Sequence, residues 1–421
     1  MKKRLLATTA LMAGGVAALG IAGPARAADP IKLSLGGYVT TGLTVRTENN
    51  VASAPGDDDR VLTTNANGIV TTDVGRSDVF WEGEVHFVGE TKLDNGIKIG
   101  VNIQLEAYTS NDQIDEHYVF LDGGFGRLVV GAENSSMYLM HYAAPSPTGG
   151  DFGADSPNFF PFRSPGSNGV GSVRTFSQLT NDANKITYYT PRFAPGFQFG
   201  LSYAPDDDAF SGYQSVGVGG GAGCQGGCAF NAGNNVSDND NGSGGVGSNH
   251  HQFVEAAVNF VKSVNGVELA FDLGFGTGFV EKQLRDSNDR TLMQRYTAGA
   301  GFNVGFAGFT VGGAILWDNQ GLQGPNQRWD FSLGATYGAG PWLVGLNGGY
   351  AVMQDGRRLV GGVYNRRTND SLIFVELGGS YALGEGVKAF STLNYANFGG
   401  NGFKTEEATG IAWSTGLALT F

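Results

Sequence analysis

The sequence predicts an all-β fold, a transmembrane antiparallel β-barrel of about sixteen strands, and three observations carry that expectation. Apolar residues recur at every second position in many segments, turn residues separate those segments, and the connections alternate between short and long. A strand with one apolar face and one small or polar face lies between hydrocarbon and something wet.

The chain starts Met1-Lys2-Lys3-Arg4, runs apolar from Leu5 to about Ala22, and then reads Ala25-Arg26-Ala27. A basic start, a short apolar run and a small-x-small site make a secretory signal, so residues 1–27 are set apart and 28–421 are expected to form a single barrel domain. At the other end Ile411, Trp413, Thr415, Leu417, Leu419 and Phe421 share one parity, while Ala412, Ser414, Gly416, Ala418 and Thr420 share the other.

Between the ends, Ile97, Ile99, Val101, Ile103, Leu105 and Ala107 alternate with Lys98, Gly100, Asn102, Gln104 and Glu106. No helix sorts residues this way. The same holds for Phe197 to Tyr203, Val267 to Phe275 and Trp329 to Tyr337. Tyr296 to Trp317 is uncharged and long enough to suggest a membrane helix, but six glycines and the same alternation make it two strands joined at Gly305-Phe306-Ala307-Gly308. Strand centres fall near residues 38, 84, 103, 119, 131, 188, 201, 257, 271, 299, 313, 333, 348, 377, 392 and 415. Seven connections are tight: Leu93 to Gly96, Asp122 to Gly126, Phe193 to Gly196, Val264 to Gly266, Gly305 to Gly308, Gly338 to Pro341 and Leu383 to Gly386. Long polar loops lie near 48–76, 135–183, 206–250, 278–292, 319–327, 355–370 and 399–407, with a shorter connection at 111–114. Tight turns at one rim and long loops at the other are what a membrane barrel has.

Charged residues are 16% of the chain, against about a quarter in ordinary globular proteins. The signal segment holds four of the 27 basic residues and none of the 39 acidic ones, which leaves the rest at −16 and argues against nucleic-acid binding. Many acids sit in loop segments such as Asp57 to Asp59, Asp206 to Asp208 and Asp238/Asp240. Cys224 and Cys228, in a Gly-rich loop, are a candidate disulfide; His250 and His251 do not complete a zinc ligand set, and no metal or cofactor is expected. No nucleophile elbow or His-Glu-x-x-His helix occurs, and His141 near Ser135 and Ser136 lacks a third member, so no catalytic residues and no enzymatic activity are expected.

Phe87-Val88-Gly89-Glu90-Thr91-Lys92-Leu93-Asp94-Asn95-Gly96 resembles the strand-turn-strand of general Gram-negative porins, especially the trimeric porins of alphaproteobacteria. Asn184-Lys185-Ile186-Thr187-Tyr188-Tyr189-Thr190-Pro191 and Pro195-Gly196-Phe197-Gln198-Phe199-Gly200 resemble the strands after that family's third loop. The terminal Phe421 resembles the signal read by the outer-membrane barrel assembly machinery. The resemblance implies a homotrimer in the outer membrane, in contact with lipids, passing small hydrophilic solutes and ions. It also implies that the third loop, here about 135–183, folds inward and narrows the pore. One departure stands out: Glu82, Glu84 and His86 occupy the wall where well-known members carry arginine.

Assigning the polar parity to the lumen places Lys32, Arg46, Lys98, Arg127, Lys185, Arg295 and Arg328 inside, with Asp78, Glu82, Glu84, Glu106, Glu133, Glu255, Glu268, Asp272, Asp330 and Glu376. Acids outnumber bases, which predicts mild cation selectivity. The expected constriction sets Asp151 and Asp155 of the third loop against Arg46, Lys98 and Arg127. Small lumen residues such as Gly100, Gly200, Ser202, Gly299, Gly301, Gly334 and Gly345 predict open space there. The alternatives are a substrate-selective channel using Phe159, Phe160, Phe162 and Tyr189, and a non-conducting structural or adhesive barrel.

Overall fold

The computed structural model describes residues 30–51, 61–64, 70–107, 114–150, 152–156, 160–162, 170–205, 250–280, 292–321, 326–354, 358–360, 363–365, 369–400 and 407–421; at 50–76 and 358–365 only the backbone is described. The expected signal segment lies outside these residues, as do Asp151, Phe159, Cys224 and Cys228.

The strands are β1 (Lys32–Val51), β2 (Val61–Thr64), β3 (Val70–Lys92), β4 (Lys98–Glu106), β5 (Ile114–Gly123), β6 (Gly126–Ala132) and β7 (Asn184–Tyr189). They continue as β8 (Phe197–Ala204), β9 (His250–Val264), β10 (Val267–Val280), β11 (Arg295–Phe306), β12 (Phe309–Asp318), β13 (Gln327–Ala339) and β14 (Trp342–Gln354). The last are β15 (Arg358–Val360), β16 (Val363–Asn365), β17 (Asn369–Gly384), β18 (Val387–Gly399) and β19 (Ala408–Thr420). One helical turn, α1 (Ser136–Leu139), follows β6.

Seventeen strands share one sheet, and β2 is only a four-residue flap on β3, so sixteen strands make the wall. Every neighbour is antiparallel, and β1 pairs with β3 on one side and β19 on the other, from Tyr38↔Thr420 to Asn49↔Thr409. The ring is therefore closed, with no free edge to leave backbone groups unsatisfied in hydrocarbon. Phe421 completes the seam: its N–H donates to the Gly37 carbonyl at 3.1 Å, and its carbonyl accepts from the Gly37 N–H at 3.0 Å.

Burial is inverted relative to a water-soluble core. Leu333 is 63% exposed and Leu273 62%, while their strand neighbours Ser332 and Asp272 are each 6% exposed. The apolar parity faces outward along every long strand, as lipid contact requires, and the polar parity faces inward.

Each of the sixteen expected centres lies within one wall strand, and each of the seven tight connections is a turn. The uncharged run 296–317 is the hairpin β11–β12, turning on Ala307 (φ 49°) and Gly308 (φ 84°). Two positive φ values in a two-residue loop match the twist of the flanking strands, and glycine takes the second at no steric cost. The regions read as loops at 48–76 and 355–370 contain strand: β1 and β3 keep pairing to Val51↔Thr72, and β15 and β16 form a hairpin. Ladder hydrogen bonds need no apolar alternation, so strands that extend past the apolar belt leave no period-two signal.

Candidate pore constriction

The third loop joins Ala132 to Asn184, and its described residues meet wall residues of the polar parity, among them Glu255, Asp272 and Asp330. Its outgoing limb starts with α1, whose N-cap Ser135 accepts from the Tyr138 N–H at 3.3 Å. Small wall residues make room for this limb. A Cβ on Gly200 would meet Met140 Sδ at 2.5 Å, one on Gly274 would meet Met137 Cγ at 2.6 Å, and one on Gly301 would sit 1.7 Å from the Tyr142 carbonyl oxygen. The expectation that Gly200 and Gly301 mark open water is therefore corrected: at these positions the missing side chains admit the loop.

Two buried charges close the loop's neck. Glu255 on β9 accepts from Ser135 Oγ (2.7 Å) and Ser177 Oγ (2.6 Å) at Oε2, and from Thr180 Oγ1 (2.6 Å) at Oε1. Lys185, 3% exposed, donates through Nζ to the carbonyls of Glu133, Asn181 and Ala183. Parity places Lys185 inside, but its ammonium is engaged with main chain at both ends of the loop.

Further along, Asp272 on β10 holds the outgoing limb, accepting from the Tyr142 N–H at 2.8 Å and lying 3.1 Å from His141 Nδ1. His141 Nε2 lies 3.1 Å from Thr175 Oγ1, and Thr175 donates its hydroxyl to Asp155 Oδ1 at 2.7 Å. Asp, His and hydroxyl thus stand in the order of a nucleophilic triad, which spacings of 131 and 34 residues hide from the sequence. Thr175 is 1% exposed and its proton is directed to Asp155, so this chain is a joint rather than a reactive group. Asp155 also accepts from the Thr175 N–H, its Oδ2 is enclosed, and burial pushes its carboxyl above the usual range. The returning limb is held by β13: Arg328 donates to the Ser172 carbonyl at 2.8 Å and to Asp330 at 2.6 Å, and Asp330 accepts from the Arg174 N–H at 3.0 Å.

The tip is fixed by apolar contact. Phe152 packs against Phe80 (ring centroids 5.2 Å) and Phe390 (5.5 Å), and Phe160 packs against Phe374 (5.3 Å) and Phe162 (5.7 Å). Val170 and Val173 join Ala351, Met353, Leu372, Phe374, Ala396 and Phe398 in one buried cluster. The sequence carried a signal for this dock: Leu372-Ile373-Phe374-Val375 is apolar on both parities. Phe160, Phe162 and Tyr189 are committed to packing, Tyr189 with Phe120, Val129 and Met140.

Of the three bases expected at the constriction, Arg46 reaches the loop, donating to the Pro161 carbonyl at 3.0 Å. Lys98 pairs with Glu90 (3.1 Å) and Arg127 with Asp122 (3.3 Å), each within two residues of a tight turn. Arg295 pairs with Asp318 at 3.1 Å near the opposite rim. Glu82, Glu84 and Glu106 stand on β3 and β4, each offering a carboxylate oxygen within 4.8 Å of the others. The Tyr38 hydroxyl lies 3.1 Å from Glu82 and 2.6 Å from Glu84, and His86 Nε2 lies 2.7 Å from Glu84. Glu82 is 4% and Glu84 9% exposed, so these two carboxylates are largely covered by their neighbours.

The same barrel recurs in solved structures. An anion-selective porin from Comamonas acidovorans superposes with a TM-score of 0.50 at 16% identity, over 93% of this chain and all of that one. The trimer form of OmpT, an outer membrane protein of Vibrio cholerae, gives 0.51 at 11%, over 93% and 100%. The outer membrane channel DcaP of Acinetobacter baumannii gives 0.52 at 11%, over 94% and 99%. At these identities the likeness is one of fold. No curated protein sequence matches the chain. A family profile described as Gram-negative porin matches residues 7–401, and with the closed sixteen-strand barrel, this chain belongs to the Gram-negative porin family, an outer-membrane channel.

Proposed function

We propose that the protein is a passive diffusion channel for small hydrophilic solutes and ions, narrowed by the third loop and mildly cation-selective, with no catalytic role. The observation that carries the selectivity is the cluster of Glu82, Glu84 and Glu106, three carboxylates on adjacent wall strands, starting two residues along β3 from Phe80, on which the loop's Phe152 packs. Four of the bases expected on the lumen wall are engaged elsewhere: Lys185 with loop carbonyls, Arg328 with Asp330, and Lys98 and Arg127 with acids at the turn rim. A low-dielectric wall focuses the field of such a cluster into the lumen. Export by a cleaved signal, assembly through the terminal Phe421 and a homotrimeric state complete the reading, and the trimer form known for OmpT supports the last.

The test is reconstitution into planar bilayers. Large ohmic steps that small sugars do not block support this reading; steps blocked by one class of solute favour a substrate-selective channel, and silence favours a structural barrel.

A further inference from the structure

We infer that Glu255 is the positioning residue that sets the width of the constriction, by clamping both limbs of the third loop to one wall carboxylate. The inference rests on that loop being the constriction proposed above.

Glu255 is 1% exposed on β9 and takes three side-chain hydroxyls, one from the outgoing limb (Ser135) and two from the returning limb (Ser177 and Thr180). Its main-chain carbonyl takes a fourth, from Ser136 Oγ at 3.2 Å. Of the wall carboxylates that take backbone N–H groups of the loop, Asp272 holds the outgoing limb and Asp330 the returning one, whereas Lys185 is the cation that reaches both. The hydrogen-bond inventory also fixes the sense of the clamp. Ser135 Oγ accepts from the Tyr138 N–H, and Ser177 Oγ accepts from the Leu179 N–H at 3.3 Å. Each hydroxyl therefore gives its one proton to Glu255 while its oxygen caps the backbone, and the two bonds reinforce each other.

A glutamine at this position has the same shape but offers an N–H₂ where one carboxylate oxygen stood. The hydroxyl facing that amide must turn its proton away and accept instead, so a charge-assisted donation to the wall is lost. Carboxylate chemistry, rather than volume, thus holds the limbs together. Lys185 acts on main-chain carbonyls of the same two limbs, so Glu255→Gln loosens the neck without releasing the loop outright.

The test compares single-channel records of wild type, Glu255→Gln and the donor-side variant Ser177→Ala with Thr180→Val, each first shown to be folded by heat-modifiable gel mobility. Both variants are expected to show higher conductance and at least a doubling of open-channel current noise. Ser135 and Ser177 reach the same carboxylate oxygen, so Ser135→Cys with Ser177→Cys is then added to Glu255→Gln in a Cys224→Ser, Cys228→Ser background. Oxidation is expected to restore the wild-type trace and reduction to release it again, which a merely weakened barrel would not show. Wild-type conductance and noise in either folded variant, or noise that the cross-link leaves unchanged, overturns the inference. A silent wild type would instead count against the channel reading itself.

Discussion

Arg46 Nη1 donates to the main-chain carbonyl of Pro161 at 3.0 Å, so a base expected to face the solute is a tie between the first strand and the tip of the third loop. Hydrogen bonds to charged groups contribute about 1.5–3 kcal/mol. Arg46→Met is expected to lower barrel stability by an amount in that range and to open the tip to protease. Thermal unfolding in detergent and limited chymotrypsin digestion check it; digestion at the wild-type rate would show that the aromatic contacts of Phe152 and Phe160 suffice.

Lys185 and Glu255 carry opposite charge at the loop's neck, and each is almost fully buried. Removing one partner leaves the other's charge uncompensated, whereas removing both does not. The double variant Lys185→Met with Glu255→Gln is therefore expected to be less destabilised than the two single losses combined, with a coupling of about 0.5–3 kcal/mol. A double-mutant cycle on thermal unfolding measures it, and simple additivity would mean the two clamps act independently.

Asp155 has its carboxyl raised by burial in the loop. A folded-state value above the unfolded one favours folding below about 3.9, the ordinary aspartate value, and that advantage is lost as pH rises through the folded value. Asp155→Asn mimics the protonated form. It is expected to match wild type at low pH and to be more stable than wild type at neutral pH, read from thermal midpoints across a pH series. A constant difference at all pH values would contradict this placement of Asp155.

Leu333 is the middle residue of β13 and is 63% exposed on the outer face. An arginine near the bilayer midplane costs about 2–4 kcal/mol on a barrel's lipid face. Leu333→Arg is expected to slow assembly into lipid vesicles and to lower stability by that amount. An unchanged folding yield would put this face against something other than hydrocarbon.

Much of the wall was legible because alternation is a local signal. Tyr296 to Trp317 resolved into two strands from its own residues, and so did the seam strand ending at Phe421. The constriction was less legible. Parity states which face a side chain occupies, but not how far along the barrel it sits or what covers it. Lys98 and Arg127 are inward by parity yet lie beside turns, and their distance from Gly96 and Gly126 already held that information. Lys185 and Asp155 differ in kind: their partners are loop groups that meet them only after the loop folds back, as Thr175 does 20 residues beyond Asp155. The glycines were ambiguous for the same reason, since a missing side chain makes room equally for water or for Tyr142.

The central claim is that the carboxylates of Glu82, Glu84 and Glu106 govern which ions pass. It is tested most directly by zero-current potentials across a potassium chloride gradient, for wild type and for Glu82→Gln with Glu84→Gln and Glu106→Gln. Low salt is the informative range, because screening shortens to about 3 Å at 1 M and mutes wall charges. The account predicts a potential of the sign carried by cations in wild type and a shift toward anions in the triple variant; an anion-selective wild type, or an unshifted triple variant, would contradict it.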